Sequence, residues 1–396
     1  MMQISPETQL FIREHSSDDV RVLALQAKKY PDIDMPTVIT QITGRKVAAE
    51  KIPSWWEIEK IWYPKHLSLE QCSSEITARY KARLLQGDSL TDLTGGFGID
   101  CSFLATGFKS ATYVERQEEL CEIAAHNFPV LNLNHININN EDGVTYLQAM
   151  SPVDCLFLDP ARRNEHGGKT VAISDCEPNV AELEELLLQK ANRVMIKLSP
   201  MLDLSLALKE LKQTQEVHIL SVNNECKELL ILLGQTSPTE ITIHCVNLLT
   251  KGTQEEQHLV FTREQEQRSQ CTYTDSLGNY LYEPNASLLK AGAFRSIAAA
   301  YPVRKLHPNS HLYTSGEPIK NFPGRSFRIT GICTLNKKEL KSVLGDLKKA
   351  NITVRNFPSS VAELRKRIKL SEGGEVYLFA TTLINEQKVL IRCEKI

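Results

Sequence analysis

The spacing of apolar positions changes near residue 89, which divides the chain into a helical first part and a mixed second part. Before that point apolar residues recur at helical intervals, and two of the predicted helices cover Met35–Thr43, ending before Gly44, and Trp55–Trp62. From Ser89 to about Gly234, short apolar runs alternate with helix-compatible runs, which predicts a mostly parallel sheet covered by helices. We therefore expect a helical region over residues 1–85 and an α/β core over residues 86–236.

The last two strands of the predicted core must run antiparallel. Glu216–Val222 and Glu228–Gly234 are apolar runs separated only by residues 223–227. A parallel crossover needs about a dozen residues or more, so this short connection allows only a hairpin. The predicted fold is thus an α/β, Rossmann-like sheet that ends in an antiparallel hairpin.

The rest of the chain predicts a smaller α/β module after a connecting segment. Residues 235–239 are the best candidate linker, Ile241–Leu249 and His258–Thr262 predict a hairpin, and Asn285–Ala300 predicts a helix. From Ser326 onward the expected order is strand, helix, strand, helix and two terminal strands. These patterns place a connecting α/β, ferredoxin-like segment at residues 237–322 and a separate module at residues 323–396.

Composition narrows the class of protein. The 396 residues predict two or three domains, and 42% apolar with 24% charged residues is typical of a soluble globular protein. There is no run of about 18 apolar residues, so no membrane span is expected, and the N-terminus lacks the pattern of a secretory signal. Ten cysteines without a C-x-x-C pair favour a reducing cytoplasm over disulfides or zinc, and Pro308 between His307 and His311 disfavours a metal pair there.

One region of the chain is strongly basic, although the net charge of −2 gives the whole protein no general affinity for nucleic acid. Between Lys320 and Leu370, thirteen Lys or Arg residues accompany three acids, Glu339, Asp346 and Glu363. Such a segregated excess is typical of a surface that binds a phosphate backbone, whereas solvated helix faces usually mix both signs. The region therefore predicts local binding of nucleic acid, and a solvated surface is the alternative.

A glycine-rich turn after the first predicted strand is the first candidate ligand site. The stretch Ser89–Asp100 reads SLTDLTGGFGID, in which a strand ending near Asp92 meets the turn and a helix follows. The turn consists of Thr94, Gly95, Gly96, Phe97 and Gly98. Glycine allows φ > 0 and close approach of a ligand, and the free N–H groups of a helix start favour a polar or anionic group. A dinucleotide fingerprint is disfavoured, because its third small position holds Cys101.

Three further acidic positions follow predicted strands of the core. Glu115 ends the second strand, where an acid can bind both hydroxyls of a ribose, and a solvated charge is the alternative. Asp142 follows the third strand. Asp159 and Pro160 end the fourth strand, and open α/β sheets bind ligands at such carboxyl ends, near the switch in strand order.

Together these residues make the chain resemble the class I S-adenosylmethionine (SAM) methyltransferases over about residues 73–234. The resemblance depends on Asp92 with the Gly-Gly-x-Gly turn, followed in order by Glu115, Asp142 and Asp159-Pro160. It implies a seven-stranded core with SAM as the cofactor. Asp92 and the turn residues 94–98 would then hold the methionine part of SAM, Glu115 the ribose and Asp142 the adenine amino group.

Two other parts of the chain resemble parts of such enzymes. Ser73 or Ser74 is predicted to cap a helix, and a similar Ser-rich turn precedes the first motif and covers the cofactor in several SAM-dependent RNA methyltransferases. The stretches Gly324–Arg328 and Asn356–Pro358 look like the THUMP-like domain of bacterial methyltransferases of this type. True THUMP domains bind RNA in tRNA-modifying enzymes, so this resemblance implies RNA, either tRNA or rRNA, as the partner of the basic region.

The stretch Asp159-Pro160-Ala161-Arg162 resembles the (Asp/Asn)-Pro-Pro-(Tyr/Phe) motif of enzymes that methylate exocyclic amines of bases. In those enzymes the acid and the proline carbonyl accept hydrogen bonds from the amine, and an aromatic ring stacks on the base. Arg162 stands at the aromatic position, and a guanidinium plane can also stack on a base. Methylation of a pyrimidine carbon is disfavoured, because it needs a nucleophilic cysteine where Leu198 stands.

The sequence thus predicts a cytoplasmic, SAM-dependent enzyme that methylates a purine nitrogen of RNA, with neither a metal nor a membrane partner. Its predicted catalytic residues are Asp159, Pro160 and Arg162. Two alternatives stay open at this point. One is SAM-dependent methylation of a small molecule or protein, and the other is a SAM-binding, RNA-binding protein without turnover.

Overall fold

The N-terminal region is helical, as its apolar spacing predicts. The structure is a computed structural model that describes residues 4–162, 172–236, 239–252 and 255–396. Its first helices are α1 (Pro6–Glu14), α2 (Val20–Leu25), α3 (Met35–Lys51), α4 (Pro53–Trp56), α5 (His66–Gln71) and α6 (Glu75–Ala82). Helices α1, α2 and α3 each begin after a residue whose side chain accepts a bond from a first-turn N–H, namely Ser5, Asp19 and Asp34.

Two helix bounds predicted in this region are wrong. Helix α3 continues through Gly44 to Lys51 instead of ending before the glycine. The missing side chain of Gly44 serves packing, because a Cβ atom there would lie 2.3 Å from Tyr63 Cβ. The segment predicted as a helix over Trp55–Trp62 is helical only in α4, after which the chain forms no regular helix until α5.

The core that follows alternates strands and helices. Its elements in chain order are β1 (Ser89–Asp92), α7 (Ile99–Ala105), β2 (Ser110–Val114), α8 (Glu118–Val130), β3 (Ile136–Asn139), α9 (Gly143–Ala149), β4 (Val153–Leu158), β5 (Ala161–Arg162), β6 (Cys176–Glu177), α10 (Val180–Lys190), β7 (Ala191–Leu198), α11 (Leu204–Glu210), β8 (Thr214–Val222), β9 (Glu225–Gly234), β10 (Thr242–Leu248) and β11 (Glu256–Thr262). Strands β5 and β6 pair with each other in a small antiparallel sheet.

The large sheet has the strand order β11-β10-β8-β9-β7-β4-β1-β2-β3 in the described residues. Strands β3, β2, β1, β4 and β7 are parallel neighbours. Strands β8 and β9 are joined only by Asn223 and Asn224, both with positive φ, as a tight hairpin requires. The predicted seven-stranded, Rossmann-like core with its terminal hairpin is therefore confirmed. Because β2 lies on one side of β1 and β4 on the other, the strand order switches at β1 and β4, where ligands of such sheets bind.

The hairpin predicted after the core is β10 and β11, and it extends the large sheet. Strand β10 pairs in parallel with β8 from Thr242–Glu216 to Leu248–Val222, and antiparallel with β11. The chain divides into two compact units, Met1–Gln215 with Leu230–Pro238, and Glu216–Leu229 with Thr239–Ile396. The division thus passes through strands β8 and β9.

The second unit also contains a seven-stranded sheet. Its remaining elements are α12 (Arg263–Arg268), β12 (Tyr280–Pro284), α13 (Ala286–Ala291), α14 (Phe294–Ala300), β13 (Arg304–Lys305), β14 (Tyr313–Ser315), β15 (Gly324–Cys333), α15 (Lys337–Leu344), β16 (Asn351–Arg355), α16 (Val361–Ile368), β17 (Val376–Thr382) and β18 (Lys388–Lys395). The strand order is β13-β14-β12-β15-β18-β17-β16. The single helix predicted over Asn285–Ala300 is divided in two, because Gly292 adopts the left-handed conformation with φ 72°. The smaller α/β module at the C-terminus is confirmed.

Two further observations concern the chain as a whole. Within the part of the chain that the structure describes, no helix combines the length and apolar character needed to cross a bilayer. All ten cysteines are free thiols.

Candidate active site

The turn after β1 is held tightly against β2. Gly98 precedes α7 with φ 85°, in the left-handed region that favours glycine. A Cβ atom on Gly95 would lie 2.2 Å from the ring of Tyr113. The Gly95 N–H donates to the carbonyl of Val114 at 2.9 Å, and the Tyr113 hydroxyl donates to the carbonyl of Gly96. The glycine-rich turn is therefore a fixed loop at the carboxyl ends of β1 and β2.

Asp92 ends β1 beneath this turn and is 1% exposed. Its Oδ1 accepts a hydrogen bond from the Thr94 N–H at 3.0 Å, whereas its buried Oδ2 has no hydrogen-bond partner among the described residues. Burial raises the pKa of Asp92 to about 8, and the nearby carboxylates of Asp100 and Asp159 add to the shift. A buried carboxylate oxygen without a donor is complementary to a cationic group such as an ammonium.

Glu115 follows β2 and is fixed by the same turn. Its Oε2 accepts the Gly96 N–H and its Oε1 accepts the Gln117 N–H, both at 2.9 Å. The residue is buried, so the carboxylate is held in one orientation. Each carboxylate oxygen can accept a further hydrogen bond. This geometry suits the two adjacent hydroxyls of a ribose, the role predicted for Glu115.

Asp142 and Phe97 already make contacts within the protein. Asp142 caps α9, because its Oδ1 accepts the N–H groups of Val144 and Thr145 at 3.0 Å each. The Phe97 side chain lies in a core with Trp55, their ring centroids 5.2 Å apart. Any contact between Phe97 and a cofactor would therefore come from its backbone, and the adenine role of Asp142 stays a prediction.

Asp159 follows β4 and connects the turn to a lysine. Its backbone N–H donates to Thr94 Oγ1 at 2.6 Å, and its Oδ2 lies 2.6 Å from Lys197 Nζ. Burial raises the pKa of Asp159, and the ammonium of Lys197 opposes this shift. Pro160 is buried beside Asp159. The side chain of Arg162 lies outside the described part of the structure, so its predicted role stays a prediction.

A buried network that the sequence analysis missed lies beside Asp159. Asp100 accepts a hydrogen bond from Ser73 Oγ at 2.7 Å and forms ion pairs with Lys81 at 3.0 Å and Lys197 at 3.1 Å. Ser73 Oγ in turn accepts from Lys81 Nζ at 2.9 Å and from Lys197 Nζ at 3.1 Å. Lys81 is fully buried. Two lysines and the two carboxylates of Asp100 and Asp159 balance in charge, as a buried ionic cluster requires.

The charges of this network shift the pKa of its central carboxylate. Burial alone would raise the pKa of Asp100, but Lys197 and Lys81 outweigh it and hold this pKa well below its usual range. Asp100 therefore remains ionised and pairs with one lysine at each of its two oxygens.

Parts of this network had a signal in the sequence. Lys197 is a charged residue near the carboxyl end of β7, inside the apolar run RVMIKL, and such a position in a buried strand points to a function. Ser73 was predicted as a possible helix cap and as part of a Ser-rich turn over the cofactor, whereas Ser74 directly precedes α6 and Ser73 bonds to Asp100. Lys81 has no distinguishing signal in the helix sequence EITARYKA.

The predicted basic region places its exposed lysines and arginines on two helices of the second unit and in the residues that follow each helix. Helices α15 and α16 contribute Leu340, Leu344 and Leu364 to one core with the strands. We name the basic helical surface by its residues, which are Lys337, Lys338, Lys341, Lys348, Lys349, Arg365, Lys366, Arg367 and Lys369. All of them are exposed except Arg365, which is partly buried.

Three other arginines of the basic region form ion pairs with two acids outside it. Arg325 and Arg355 both bind the buried carboxylate of Glu283, the latter at 2.9 Å. Arg328 pairs with Glu394 at 2.6 Å. A charge count over residues 320–370 alone therefore overstates the positive charge that this region presents to a partner.

The fold and the site together define a class I methyltransferase. The sheet order with a terminal hairpin, the glycine-rich turn after β1, the acid after β2 and the Asp-Pro pair after β4 all fit that class. Residues 280–323 match the model of a ferredoxin-like domain, and residues 324–395 match that of a THUMP domain-like family. The crystal structure titled "putative methyltransferase from Porphyromonas gingivalis W83" is 36% identical, covers 100% of both chains and has a TM-score of 0.88. The chain belongs to the family of class I methyltransferases with a C-terminal THUMP-like domain.

Other solved structures resemble only part of the chain. An rRNA methylase from Streptococcus thermophilus is 14% identical with a TM-score of 0.30, covering 40% of this chain and 93% of that one. A Streptococcus mutans structure titled a "putative methyltransferase" in complex with SAH is also 14% identical with a TM-score of 0.30, covering 40% and 96%. Similarity at this level adds nothing to the assignment. No protein with a curated description matches the chain.

Proposed function

We propose that this protein transfers a methyl group from SAM to RNA. The observation that carries the cofactor assignment is the buried Oδ2 of Asp92, which has no hydrogen-bond partner among the described residues and lies under the glycine-rich turn. Asp92 would bind the ammonium of the methionine part of SAM, together with backbone groups of residues 94–98. Glu115 would bind the ribose hydroxyls and Asp142 the adenine amino group. When bound, SAM supplies an electrophilic methyl group on a sulfonium.

The methyl acceptor would bind at Asp159 and Pro160. The hydrogen bond between the Asp159 N–H and Thr94 Oγ1 fixes this edge directly against the proposed cofactor turn. Methyl transfer needs an in-line approach of the acceptor, so positioning and electrostatics supply most of the acceleration. Asp159 is the proposed hydrogen-bond acceptor, and Arg162 is proposed to contact the nucleotide that carries the acceptor atom.

The basic helical surface supports RNA as the partner. It collects exposed cations on a chain with a net charge of −2, which is the pattern of local phosphate binding. The THUMP-like domain lies at the same residues. We therefore propose tRNA or rRNA as the substrate, bound through contacts between its phosphate backbone and this surface.

The cysteines bear on the location of the protein. Ten free thiols fit a reducing compartment, and we propose the cytoplasm as the location.

Two measurements on the full chain test this function. Calorimetry with SAM and with its demethylated product should show binding that Asp92→Asn weakens. Incubation with SAM labelled on the methyl group, and with total RNA, protein and small-molecule fractions of cells lacking the gene, should then place the label in RNA. Label in another fraction would favour the small-molecule or protein alternative, and SAM binding without transfer would favour a non-catalytic RNA-binding protein. Absence of binding would remove the cofactor assignment.

A further inference from the structure

The cation beside Asp159 restricts the chemistry of the methyl acceptor. Lys197 Nζ lies 2.6 Å from Asp159 Oδ2, 3.1 Å from Asp100 Oδ2 and 3.1 Å from Ser73 Oγ. An ammonium has three N–H donors, and these three oxygens provide an acceptor for each of them. Two carboxylates thus surround the Lys197 ammonium. The acceptor atom therefore reacts next to a fixed positive charge.

A nitrogen acceptor would be opposed by this charge. An exocyclic amine becomes positive as it attacks the methyl group, so its transition state needs nearby acceptors and is repelled by a cation. The combination of Asp159 and Lys197 is thus unfavourable for the purine nitrogen that the sequence motif suggested.

A hydroxyl acceptor develops the opposite charge. Its oxygen becomes partly anionic as the proton leaves, and a preorganised ammonium stabilises that charge. Asp159 can accept the proton, and burial raises the pKa of its carboxyl toward the range that favours a general base. Lys81 also pairs with Asp100, at 3.0 Å, so that Asp100 does not depend on Lys197 alone for a counter-ion.

We infer that the methyl acceptor is a hydroxyl oxygen of RNA, the ribose 2′-hydroxyl, activated between Asp159 and Lys197. This inference rests on the proposed function and replaces a base nitrogen as the acceptor. In the reaction the oxygen–methyl bond forms as the carbon–sulfur bond breaks, and the electron pair of the latter stays on sulfur. The hydroxyl proton passes to Asp159 and then to solvent. An internal nucleotide offers no other hydroxyl, which makes the 2′ position the candidate.

Analysis of the product RNA decides this inference. RNA labelled by the full-length protein should contain a 2′-O-methylated nucleoside by mass spectrometry and should give label in alkali-resistant dinucleotides, because methylation removes the 2′-hydroxyl that alkali uses. An N-methylated base with no ribose label would overturn the hydroxyl acceptor and leave SAM-dependent RNA methylation intact. No label in RNA would overturn both.

Variants of Lys197 test its role separately from folding. Lys197→Met should lower the transfer rate by about 100-fold or more, as loss of a preorganised charge does elsewhere, while SAM affinity changes little. Lys197→Arg should recover part of the rate, since it keeps the charge, and the exposed Lys109→Met serves as the control. The pH dependence of the rate in Lys197→Arg should be displaced from that of the native protein. A Lys197→Met protein with the transfer rate and pH profile of the native protein would show that Lys197 does not activate the acceptor.

A separate observation concerns three neighbouring strands of the second unit. His218 on β8 and His244 on β10 are paired in register, and their rings stack with centroids 4.2 Å apart. Glu216 Oε2 lies 3.2 Å from His218 Nε2 and 3.9 Å from His244 Nε2. His258 on β11 contacts the other nitrogen of His244, Nδ1, at 3.2 Å. One carboxylate oxygen and two imidazole nitrogens therefore converge on one side of the sheet.

We propose that Glu216, His218 and His244 bind a divalent transition-metal ion, with zinc as the representative case. Two imidazoles and a carboxylate are a common zinc ligand set, and bonds of about 2.0–2.1 Å in tetrahedral geometry place ligand atoms about 3.3 Å apart. The distance from Glu216 to His218, 3.2 Å, agrees with that value, the distance to His244 is longer at 3.9 Å, and all three ligand atoms lie within 4.8 Å of one another. The ring of His244 also contacts His258 through its other nitrogen, Nδ1. The bond to His258 orients its Nε2 toward the site, as outer-shell partners of metal ligands do.

Titration with Zn²⁺ alone tests this site. The full chain, first freed of metal by a chelator, should bind one equivalent in calorimetry, and Co²⁺ should give the visible absorption of a tetrahedral site. His218→Asn combined with His244→Asn should abolish both signals, whereas His126→Asn, a histidine of the other unit, should retain them. Binding that is absent in the native protein, or equal in all three proteins, would overturn the proposal.

Discussion

Thr94 Oγ1 accepts a hydrogen bond from the backbone N–H of Asp159 at 2.6 Å, and so joins the turn after β1 to the residue after β4. Removing this acceptor in Thr94→Val leaves a partly buried N–H without its partner, which costs about 1–3 kcal/mol. We expect the free energy of unfolding to fall by that amount and the methyl-transfer rate to fall as well. Thr94→Ser keeps the hydroxyl and should retain both. Urea unfolding and single-turnover transfer measure the two effects. Equal unfolding free energies and equal transfer rates in Thr94→Val and Thr94→Ser would contradict the role of the hydroxyl.

SAM affinity should depend on pH through Asp92. The pKa of Asp92 is raised to about 8 by burial, so its carboxyl is mostly protonated below that pH in the free protein. A cofactor ammonium favours the ionised form, so binding must release a proton. Affinity should therefore increase with pH between about 6 and 7.5, by up to tenfold per unit. Asp92→Asn cannot titrate and should bind weakly with no such slope. Calorimetry at several pH values measures the slope of SAM affinity against pH. Equal slopes in the native protein and in Asp92→Asn would show that Asp92 is not the titrating group.

Asp159→Ala should abolish methyl transfer while leaving SAM binding largely intact. The reason is that Asp159 lies on the acceptor side, whereas its contact with the turn uses the backbone N–H, which the substitution keeps. Binding by calorimetry and transfer with labelled SAM give the two values. Loss of SAM binding in this variant would mean that Asp159 serves the cofactor instead.

Gly44→Ala should destabilise the N-terminal region despite the high helix propensity of alanine. A Cβ atom at Gly44 would lie 2.3 Å from Tyr63 Cβ, so the two segments must move apart. Overpacking of this kind costs about 1–3 kcal/mol. Gly107→Ala is a matched control, because the nearest atom to its Cβ would be 3.7 Å away. Urea unfolding compares the free energies of unfolding of the two variants. A Gly44→Ala protein as stable as the control would show that the segment of Tyr63 can move without cost.

Charge reversal on the basic helical surface should weaken RNA binding and flatten its salt dependence. Replacing Arg365, Lys366 and Arg367 with Glu removes up to three phosphate contacts, and each contact contributes about 0.7–0.9 to the slope of log affinity against log salt. The same change at the exposed residues Lys28, Lys29 and Lys60 of the other unit is the control. Filter binding at several salt concentrations measures both slopes. An unchanged affinity in the first variant would exclude the surface from RNA recognition.

The alternation of strands and helices in the core and its terminal hairpin follow from local features of the sequence. Short apolar runs and a short connection between the last two strands are visible in sequence, because strand periodicity and turn chemistry act over a few residues. The connection was predicted as residues 223–227 and is shorter, Asn223 and Asn224, because β9 begins at Glu225. The acids at Asp92, Glu115 and Asp159 could be placed for the same reason, since each ends a predicted strand.

Features that depend on distant contacts could not be predicted. The helix end predicted before Gly44 was wrong. The glycine is needed there because Tyr63, which lies outside helix α3, packs against it. The hydrogen bond between Lys197 and Ser73 joins residues 124 positions apart. The ligand atoms of Glu216, His218 and His244 converge only because β10 pairs with β8. Sequence spacing carries no information on such pairs.

The pairing of β10 with β8 also has a consequence for dividing the chain into fragments. A proteolytic or engineered cut in residues 235–239 leaves a C-terminal fragment that contains β10 but lacks the strand bound along its edge. That fragment would present an uncovered row of main-chain donors and acceptors, the template on which chains aggregate. The THUMP-like domain, residues 324–395, is therefore better studied within the intact polypeptide than in such a fragment.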